Sequence, residues 1–420
     1  MVTPDHPVIK PAARRIGGLT GNLWRLALVI GVAQFSMSVW TWQFGIYIET
    51  LIEPWQMGLT FTASSIAGLV GVPLSGYVSD FIGRRKTLLI AYIPMAIGLF
   101  FLFSFPVWPF LPIFYGLIQF GWSFVVIMAR AAPADQISQD KGKDAGRTFT
   151  TVLLPAFAID GLSPLLASFL LVSGVPQRNL LILGGIGTII AFIVSALFVR
   201  ETLDQSIQEK ARSGSIITLR GLGNDFWILA VGLVGLYMSF GLAFPYLGNL
   251  VVSEWSVSTS DWGIIWCLSS LTIAALSYFG GKLADKKLKT SMVLSVLSLS
   301  LIILGHGFLS GIYTLLFINV IWGVVIVFWV ASERALIVQG VGEEKKGRAL
   351  STFQALMSTA QMLMMNVGAA IWTFFGSLRF LFIIAGIVAL VSTIPLSLAM
   401  RYITIGDEST RCISNQESVE

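Results

Sequence analysis

A carboxylate lies near the middle of an otherwise apolar stretch of this chain. Asp160 falls close to the centre of residues 149–173, where most side chains are hydrophobic or small. If this stretch crosses a membrane as a helix, an aspartate at its centre costs about 2.5–3.5 kcal/mol on insertion scales. We therefore expect Asp160 to face a cavity or a polar partner, where it can exchange a proton or bind substrate. The alternative is a structural aspartate that is neutral or hydrogen-bonded between helices.

Polar side chains recur at helical spacing in other apolar stretches. In the stretch 24–48, steps of three or four residues lead from Gln34 along one helix face to Glu49, just beyond its end. Such faces are typical of a polar pathway, although hydrogen bonding between helices also uses small polar residues. Glu49 and Glu333 would lie near opposite faces of the membrane, so we interpret them as mouth or gate residues. The pathway candidates are Gln34, Ser38, Thr41, Gln119, Trp122, Tyr237, Asn319, Trp322, Gln354 and Gln361.

A charged turn occurs twice between long apolar stretches. Residues 76–86 read Gly-Tyr-Val-Ser-Asp-Phe-Ile-Gly-Arg-Arg-Lys, so Asp80 is followed closely by three cations. Residues 281–289 repeat part of this pattern around Asp285. A recurring turn of this kind indicates that the chain contains a duplicated unit.

The residue types in the first turn predict close packing and charge pairing. We expect Gly76 to let two helices approach closely and Gly83 to permit a tight turn. Asp80 can pair with Arg84 or Arg147, or lie near a helix N-terminus, where an exposed carboxylate gains about 0.3–1 kcal/mol.

The sequence offers no support for several other kinds of chemistry. No glycine-rich loop is followed by Lys and Ser or Thr, so nucleotide hydrolysis is not indicated. His6 and His306 are too few for a zinc site, and no Ser/His/Asp or Cys/His arrangement suggests catalysis. Cys267 and Cys412 imply no disulfide framework. We therefore predict a protein that is not an enzyme and that needs no metal or cofactor.

Long hydrophobic stretches must position all of these residues. The chain has 420 residues, of which 55% are hydrophobic and 12% charged, with a mean hydropathy of +0.81. About 20 apolar residues suffice to cross a hydrocarbon core about 30 Å thick, and such a segment must be helical to pair its backbone groups. We therefore predict an all-α membrane protein with twelve transmembrane helices. The predicted spans are 24–48, 60–81, 87–105, 108–131, 149–173, 179–200, 226–252, 261–285, 290–310, 312–335, 349–374 and 378–402.

The distribution of basic residues predicts the orientation. Of the 27 Lys and Arg residues, only Arg178 and Arg379 fall on the side opposite to the two termini. Since basic residues collect on the cytoplasmic side, both termini are expected to be cytoplasmic. This bias explains the net charge of +5 without a nucleic-acid partner. The polar amino-terminal segment and the length of the first span predict no cleavable signal peptide.

The two charged turns fit a division of the chain into two parallel repeats. Asp80 recurs as Asp285, and Arg147, which ends a Gly-Arg pair, recurs as Arg348. Six spans in each half give the repeats the same orientation in the membrane. The predicted parts are an N-terminal six-helix bundle (1–200), a cytoplasmic linker (201–225) and a C-terminal six-helix bundle with a short cytoplasmic tail (226–420).

The charged turn resembles the loop signature G-x-L-a-D-r-x-G-r-k of the major facilitator superfamily. Val78 stands where leucine is usual, and in the second copy Leu288 replaces the glycine. The resemblance covers nearly the whole chain and implies two pseudo-symmetric six-helix bundles, the major facilitator fold. The residues that match the signature in the first copy are Gly76, Asp80, Gly83, Arg84 and Arg85.

The resemblance also implies roles for particular residues. The charged turns, together with Arg147, Asp285 and Arg348, would latch the two bundles in one access state. The sequence Arg200-Glu201-Thr202-Leu203 resembles the Pro-Glu-Thr-Leu of drug:proton antiporters, and Gly161-Leu-Ser-Pro164 resembles their Gly-Pro element. Those antiporters carry an intramembrane arginine where this chain has Gly116, so the usual proton relay and a cationic anchor for an anionic substrate are missing.

The function implied is secondary active transport of a small organic molecule by alternating access. We favour proton-coupled export of an amphipathic compound, with Asp160 as the proton-coupling residue. Proton-coupled uptake of a polar metabolite, such as a sugar or organic acid, is the alternative, and a transporter-like receptor or channel is a third interpretation. The expected partners are a small-molecule substrate, protons and the lipid bilayer. The chain is expected to act as a monomer in the plasma membrane.

Overall fold

The computed structural model describes residues 19–139, 145–201, 222–284, 287–339 and 346–403, which are nearly all helical. The first half contains α1 (Gly21–Ser38), α2 (Thr41–Glu49), α3 (Pro54–Ile82), α4 (Arg84–Ser104), α5 (Phe110–Gln139), α6 (Ala145–Val172) and α7 (Asn179–Phe198). The second half contains α8 (Gly223–Ala243), α9 (Thr259–Ala284), α10 (Leu288–Phe308), α11 (Ile312–Gln339), α12 (Lys346–Phe375) and α13 (Leu378–Tyr402). The predicted all-α architecture is confirmed. Most of the predicted linker, residues 202–221, lies outside the described residues.

Ten segments in the described residues are long and apolar enough to cross a membrane. In two of them, Gly21–Glu49 and Gly223–Glu254, a local break divides the segment. The other two predicted spans correspond to α9 and α12, which have 26 and 30 residues. Both helices pack against the opposite half of the protein.

The hydrophobic pattern of the first predicted span suggested one continuous helix, but the span is divided into two. It divides into α1 and α2 at Trp40, whose backbone has φ −132° and ψ −25°. The buried indole of Trp40 donates to the carbonyl oxygen of Ser36 at 2.8 Å, while the Trp40 backbone N–H bonds to Met37 instead. The side chain thus takes the carbonyl that the helix would use, which breaks the helix before Thr41.

The seventh predicted span breaks at Pro245. After α8, residues Phe244–Tyr246 form a 3₁₀ turn around Pro245, and Leu250–Glu254 form a π-helical turn. Pro245 has no N–H to donate, so the regular helix cannot continue through it. The break places Phe244 and Asn249 at the centre of the protein, where both line a cavity.

The two halves pack their helices in the same way. In the first half α1 contacts α6 and α7, and in the second half α8 contacts α12 and α13. The pairs α3–α5 and α4–α7 likewise correspond to α9–α11 and α10–α13. The two most extensive contacts between the halves are α3 with α12 and α6 with α9, and these also correspond to each other. The duplicated charged turns are therefore accompanied by duplicated helix packing.

Gly83 forms the turn between α3 and α4 as expected from the sequence. Its φ of +96° and ψ of 160° belong to a region that is essentially restricted to glycine. The carboxylate of Glu201 lies against it and accepts hydrogen bonds from the backbone N–H groups of Arg84 (2.9 Å) and Arg85 (3.2 Å). The carboxylate thereby satisfies N–H groups at the start of α4, where negative charge is favourable.

The close approach expected at Gly76 is not seen among the described residues. A methyl group added there would meet none of their atoms within 4 Å. In contrast, a methyl group at Gly83 would collide with the carboxylate of Glu201. Close approach in this turn is therefore between backbone and Glu201, not between two helices at Gly76.

We predict that Gly83→Ala destabilises the protein and that Gly76→Ala does not. The alanine at position 83 adopts a backbone conformation that costs about 1–3 kcal/mol and displaces Glu201 from the start of α4. Thermal unfolding of the purified variants in detergent measures the difference, with Gly76→Ala as the control from the same turn. Equal melting temperatures for the two variants would show that the turn tolerates a side chain at Gly83.

Candidate functional site

A cavity of about 360 Å³ lies between the two halves. Its wall combines aromatic rings with hydroxyl and amide groups, and helices from both halves contribute to it. Gln119 extends from α5 in the first half, and Gln361 extends from α12 in the second. A wall of this composition suits a molecule that has both an apolar body and polar groups. Other lining residues include Thr41, Phe61, Tyr115, Phe244, Trp262 and Trp266.

Asp160 lies on α6 at the contact between the halves. Its Oδ1 accepts hydrogen bonds from Gln34 Nε2 at 2.8 Å and from Ser38 Oγ at 2.5 Å, both on α1. Its Oδ2 accepts a longer bond of 3.2 Å from Ser270 Oγ on α9, in the other half. Gln34 also donates to Ser38 at 2.7 Å, so the two donors support each other. The carboxylate thus joins three helices and bridges the two halves.

Asp160 also lines a second, smaller cavity of about 130 Å³. This cavity extends into the second half between α9, α10, α11 and α13, and its wall includes Ser270, Asn319 and His306. It shares Phe244, Leu247 and Trp266 with the central cavity, so the two are neighbours. No Lys or Arg occurs among the described lining residues of either cavity, and Asp160 is the one carboxylate there.

The halves are in contact at the end of the bundle where α2 finishes, which we call the distal end. The carboxylate of Glu49 accepts hydrogen bonds from Asn249 Nδ2 at 2.7 Å and from Ser253 Oγ at 3.0 Å. Asn249 also donates to the carbonyl oxygen of Gly45 at 3.0 Å. These bonds join the first half to the second, and they close the central cavity towards the distal end.

A second distal contact is made by the closely packed helices α3 and α12. A methyl group added at Gly58 would lie 2.6 Å from the Cβ atom of Ala369. The ring of Phe61, one turn along α3, lies 5.9 Å from that of Tyr246 between ring centroids. The small residue lets the two halves meet without a gap at this end.

The pathway candidates are distributed around the two cavities. Thr41, Gln119 and Gln361 line the central cavity, and Asn319 and Trp322 line the smaller one. Gln34 and Ser38 are donors to Asp160.

Three other candidates lie apart from the lining residues of the two cavities. Trp122 is partly buried and packs against the hydrophobic core. Gln354 is paired with Ser358 of its own helix at 3.2 Å. Tyr237 is buried beside Trp329, with 5.7 Å between the ring centroids.

Glu333, interpreted from the sequence as a mouth residue, is buried inside the second half. It is 8% exposed and accepts a hydrogen bond of 2.8 Å from the hydroxyl group of Tyr237. Glu49, in contrast, lies at the distal contact where a gate is expected. The two glutamates therefore occupy different environments in this conformation.

The charged turns are described only in part. Arg84 Nη1 donates to Ser79 Oγ at 2.5 Å, and Arg85 Nη2 donates to the carbonyl oxygen of Ala196 at 2.6 Å. Asp285 lies outside the described residues, as do the side chains of Asp80, Arg147 and Arg348. The latch that the resemblance implies therefore remains a prediction.

Sequence reasoning missed several residues of this site. Ser270, Asn249 and Ser253 carry hydrogen bonds between the halves, but single serines and asparagines in apolar helices are too common to be singled out. Glu201 was identified only as part of the Arg-Glu-Thr-Leu sequence that resembles an element of drug:proton antiporters, not as a partner of the turn at Gly83. His306 lies in the wall of the smaller cavity, and its position inside an apolar span was the available signal.

The model of the Major Facilitator Superfamily matches residues 26–331 and 229–418 of this chain. No curated protein matches the sequence. Among solved structures, the nucleoside transporter NupG is similar at a TM-score of 0.73 and 14% identity, covering 91% of this chain and 100% of that one. A mutant form of NupG is similar at a TM-score of 0.78 and 13% identity, covering 90% and 99%.

The human organic anion transporter MFSD10 (TETRAN) is also similar in structure. Its TM-score is 0.63 at 15% identity, and the similarity covers 89% of this chain and 98% of that one. At these identities the similarity shows a shared fold. The predicted arrangement of two six-helix bundles is therefore confirmed.

We predict that Glu49→Ala opens the distal end. The change removes the carboxylate that bonds Asn249 and Ser253, and hydrogen bonds to a charged group contribute about 1.5–3 kcal/mol each. A cysteine placed at Ser64 in the central cavity, with Cys267 and Cys412 replaced by serine, should react severalfold faster with an impermeant thiol reagent applied from the distal side.

Glu53→Ala is the control for this experiment. Glu53 is a nearby carboxylate that caps the start of its own helix α3 and makes no described bond to the second half. Its removal should leave the labelling rate unchanged. Equal labelling rates in Glu49→Ala and the parent protein would show that this carboxylate does not hold the distal contact.

Proposed function

The chain belongs to the Major Facilitator Superfamily, and we propose that it exchanges protons for a neutral or cationic amphipathic molecule across the membrane. The protein is a multi-pass membrane protein of a family of secondary transporters. Under this proposal the substrate binds in the central cavity and the proton binds to Asp160. The observation that carries the proposal is the position of Asp160 beside both cavities and at the contact between the halves.

The charge of the cavity walls supports this class of substrate. Asp160 is the one carboxylate among the described lining residues, and no Lys or Arg accompanies it. An anion would meet an uncompensated negative charge there, whereas an amine or an uncharged molecule would not. The aromatic residues around the cavity would contact the apolar body of such a molecule.

Competition for Asp160 supports exchange of the proton and the substrate. A cation near the carboxylate and a proton on it neutralise the same charge, so both cannot occupy Asp160 at once. Protonation of Oδ2 would also change the bond to Ser270, since that oxygen accepts the Ser270 hydroxyl at 3.2 Å. The protonation state would thereby act on one of the bonds that join the halves.

Uptake of a neutral polar metabolite with a proton is the second candidate. The side-chain amides of Gln119 and Gln361 favour it, because they lie on the wall of the central cavity in opposite halves. Gln119 Nε2 donates to Tyr115 at 3.1 Å, which leaves its carbonyl oxygen available to a ligand. The similarity in fold to a nucleoside transporter is compatible with this candidate.

The remaining parts of the proposal concern the cellular setting. We assign both termini to the cytoplasm, which makes the distal end external and this conformation inward-facing. The charged turns around Asp80 and Asp285 would hold the opposite, outward-facing state. The protein would act in the plasma membrane as a monomer.

We predict that Asp160→Asn abolishes transport driven by a pH gradient but preserves exchange of substrate for substrate. Asparagine keeps an oxygen that accepts the bonds from Gln34 and Ser38, but it cannot be protonated at neutral pH. A thermal-shift screen of lipophilic amines, sugars and organic acids against the purified protein first supplies a ligand. Proteoliposome uptake under an imposed pH gradient and counterflow without one are then measured with that ligand.

Ser163→Ala is the matched control on the same helix, because the Ser163 hydroxyl donates only to Ile159 within α6 among the described contacts. It should retain both activities. Gradient-driven transport at the normal rate in Asp160→Asn would contradict the role of Asp160. Transport in the same direction as the proton flow would favour uptake over exchange.

A further inference from the structure

His306 is a buried histidine in the wall of the smaller cavity. Its side chain is 5% exposed and lies towards the distal end of α10. The ring contacts those of Trp255 and Phe382, each with 5.7 Å between ring centroids. These contacts, together with the bond from Nδ1 to Ile302, restrict the orientation of the imidazole.

One nitrogen of His306 has a partner and the other has none. Nδ1 lies 2.7 Å from the carbonyl oxygen of Ile302, so the hydrogen of the neutral ring is on Nδ1. Nε2 is then an acceptor, and it is buried without a partner among the described residues. A buried acceptor that lacks a hydrogen bond destabilises the protein, so this nitrogen favours a donor from outside the chain.

The neighbouring polar groups of this cavity are already engaged with one another. Asn319 Nδ2 donates to the carbonyl oxygen of Leu315 at 2.9 Å, and its Oδ1 accepts from Ser269 at 3.2 Å. Ser270 donates to Asp160 at 3.2 Å. Among these groups, His306 Nε2 is the polar atom that has no partner in the described part of the chain.

We propose that the smaller cavity is a subsite for a hydroxyl or amino group of the substrate, with His306 Nε2 as the acceptor. The apolar body of the same molecule would remain in the central cavity, since Phe244, Leu247 and Trp266 border both spaces. Asp160 lies in the same wall as His306, so a donor group that enters meets a carboxylate as well. This proposal rests on the proposed function, because it assumes that the central cavity binds the substrate.

The subsite would distinguish a substrate that can donate a hydrogen bond to Nε2 from one that cannot. A substrate with a hydroxyl or amino group would satisfy Nε2, whereas its methyl ether would fill the cavity and leave Nε2 unpaired. Because Nε2 already lacks a partner in the empty cavity, the alcohol or the amine gains a hydrogen bond on binding that the ether cannot make. The same acceptor would not distinguish between two molecules that both present a donor.

Three probes with one aromatic body test this inference. They are 3-phenylpropan-1-ol, 3-phenylpropylamine and the methyl ether of the alcohol, and their affinities for the purified full-length protein are measured by titration calorimetry. We expect the alcohol and the amine to bind about tenfold more tightly than the ether, as the loss of one bond to a buried acceptor implies.

Two variants separate Nε2 from the rest of the ring. His306→Asn keeps an amide near the position of Nδ1, where it can still bond Ile302, but it has no group at the position of Nε2. His306→Gln extends its amide to about the position of Nε2 and keeps an acceptor there. The preference for alcohol over ether should fall towards one in His306→Asn and persist in His306→Gln.

A spectroscopic measurement reports on the same atom directly. The chain has two histidines, so ¹⁵N-histidine labelling of a His6→Gln variant leaves the signals of His306 alone. The Nε2 resonance should shift on addition of the alcohol and remain in place with the ether.

The outcomes distinguish this proposal from the proposed function. Equal affinity for alcohol and ether, no binding of any probe, or an unchanged preference in His306→Asn would overturn the subsite. Those results leave the behaviour of Asp160→Asn in transport untouched. Conversely, loss of the preference in His306→Asn alongside normal gradient-driven transport in Asp160→Asn would support the subsite and remove the proton role.

Discussion

A polar group inside a membrane protein has no bulk water to bond, so it favours a partner within the protein. Asp160 shows how strongly this requirement shapes the bundle. Its carboxylate is held by Gln34 and Ser38 from α1 and by Ser270 from α9. Because an uncompensated charge at this depth is costly, the three donors and the carboxylate fix the relative positions of α1, α6 and α9. Ligands that act on the carboxylate therefore act on the contact between the halves.

The contacts between the halves differ in chemistry. At α6 and α9 the helices are joined through a carboxylate and a hydroxyl group, a bond that depends on protonation. At α3 and α12 they are joined by close packing at Gly58 and Ala369, which no proton affects. Glu49 adds a second carboxylate that joins the halves at the distal end. A rocking motion would thus break polar bonds on one side while apolar surfaces slide on the other.

The fold could be predicted from the sequence largely because long apolar stretches leave the backbone few alternatives to a helix. The break in the seventh span also has a cause that is visible in the sequence, since Pro245 cannot continue the helical hydrogen bonds. The break at Trp40 could not be predicted in this way, because it depends on an indole that takes a carbonyl from its own helix. Periodicity records which residues are apolar, but it does not record competition of this kind.

The candidate site could be predicted only where a residue was unusual for its surroundings. Asp160 met that condition, and its donors Gln34 and Ser38 lay on a polar face. Ser270 and Asn249 did not, because residues of these types serve many helices as ordinary partners. The surroundings of Gly76 could not be predicted, because helix packing depends on atoms distant in the sequence. The burial of Glu333 could not be predicted either, because a position along a helix does not reveal which side of the helix is buried.

The environment of Asp160 also explains why exchange would be obligatory under the proposed function. With a proton or a cationic substrate bound, the carboxylate is neutralised, and the halves can move without carrying an exposed charge through a region of low dielectric. With neither bound, the ionised group depends on its three donors, and the rocking motion would withdraw Ser270 from Oδ2. In the empty transporter, the transition would then be disfavoured by the poorly solvated charge of Asp160. The unloaded form would therefore be held back, and movement of the halves would require one ligand or the other.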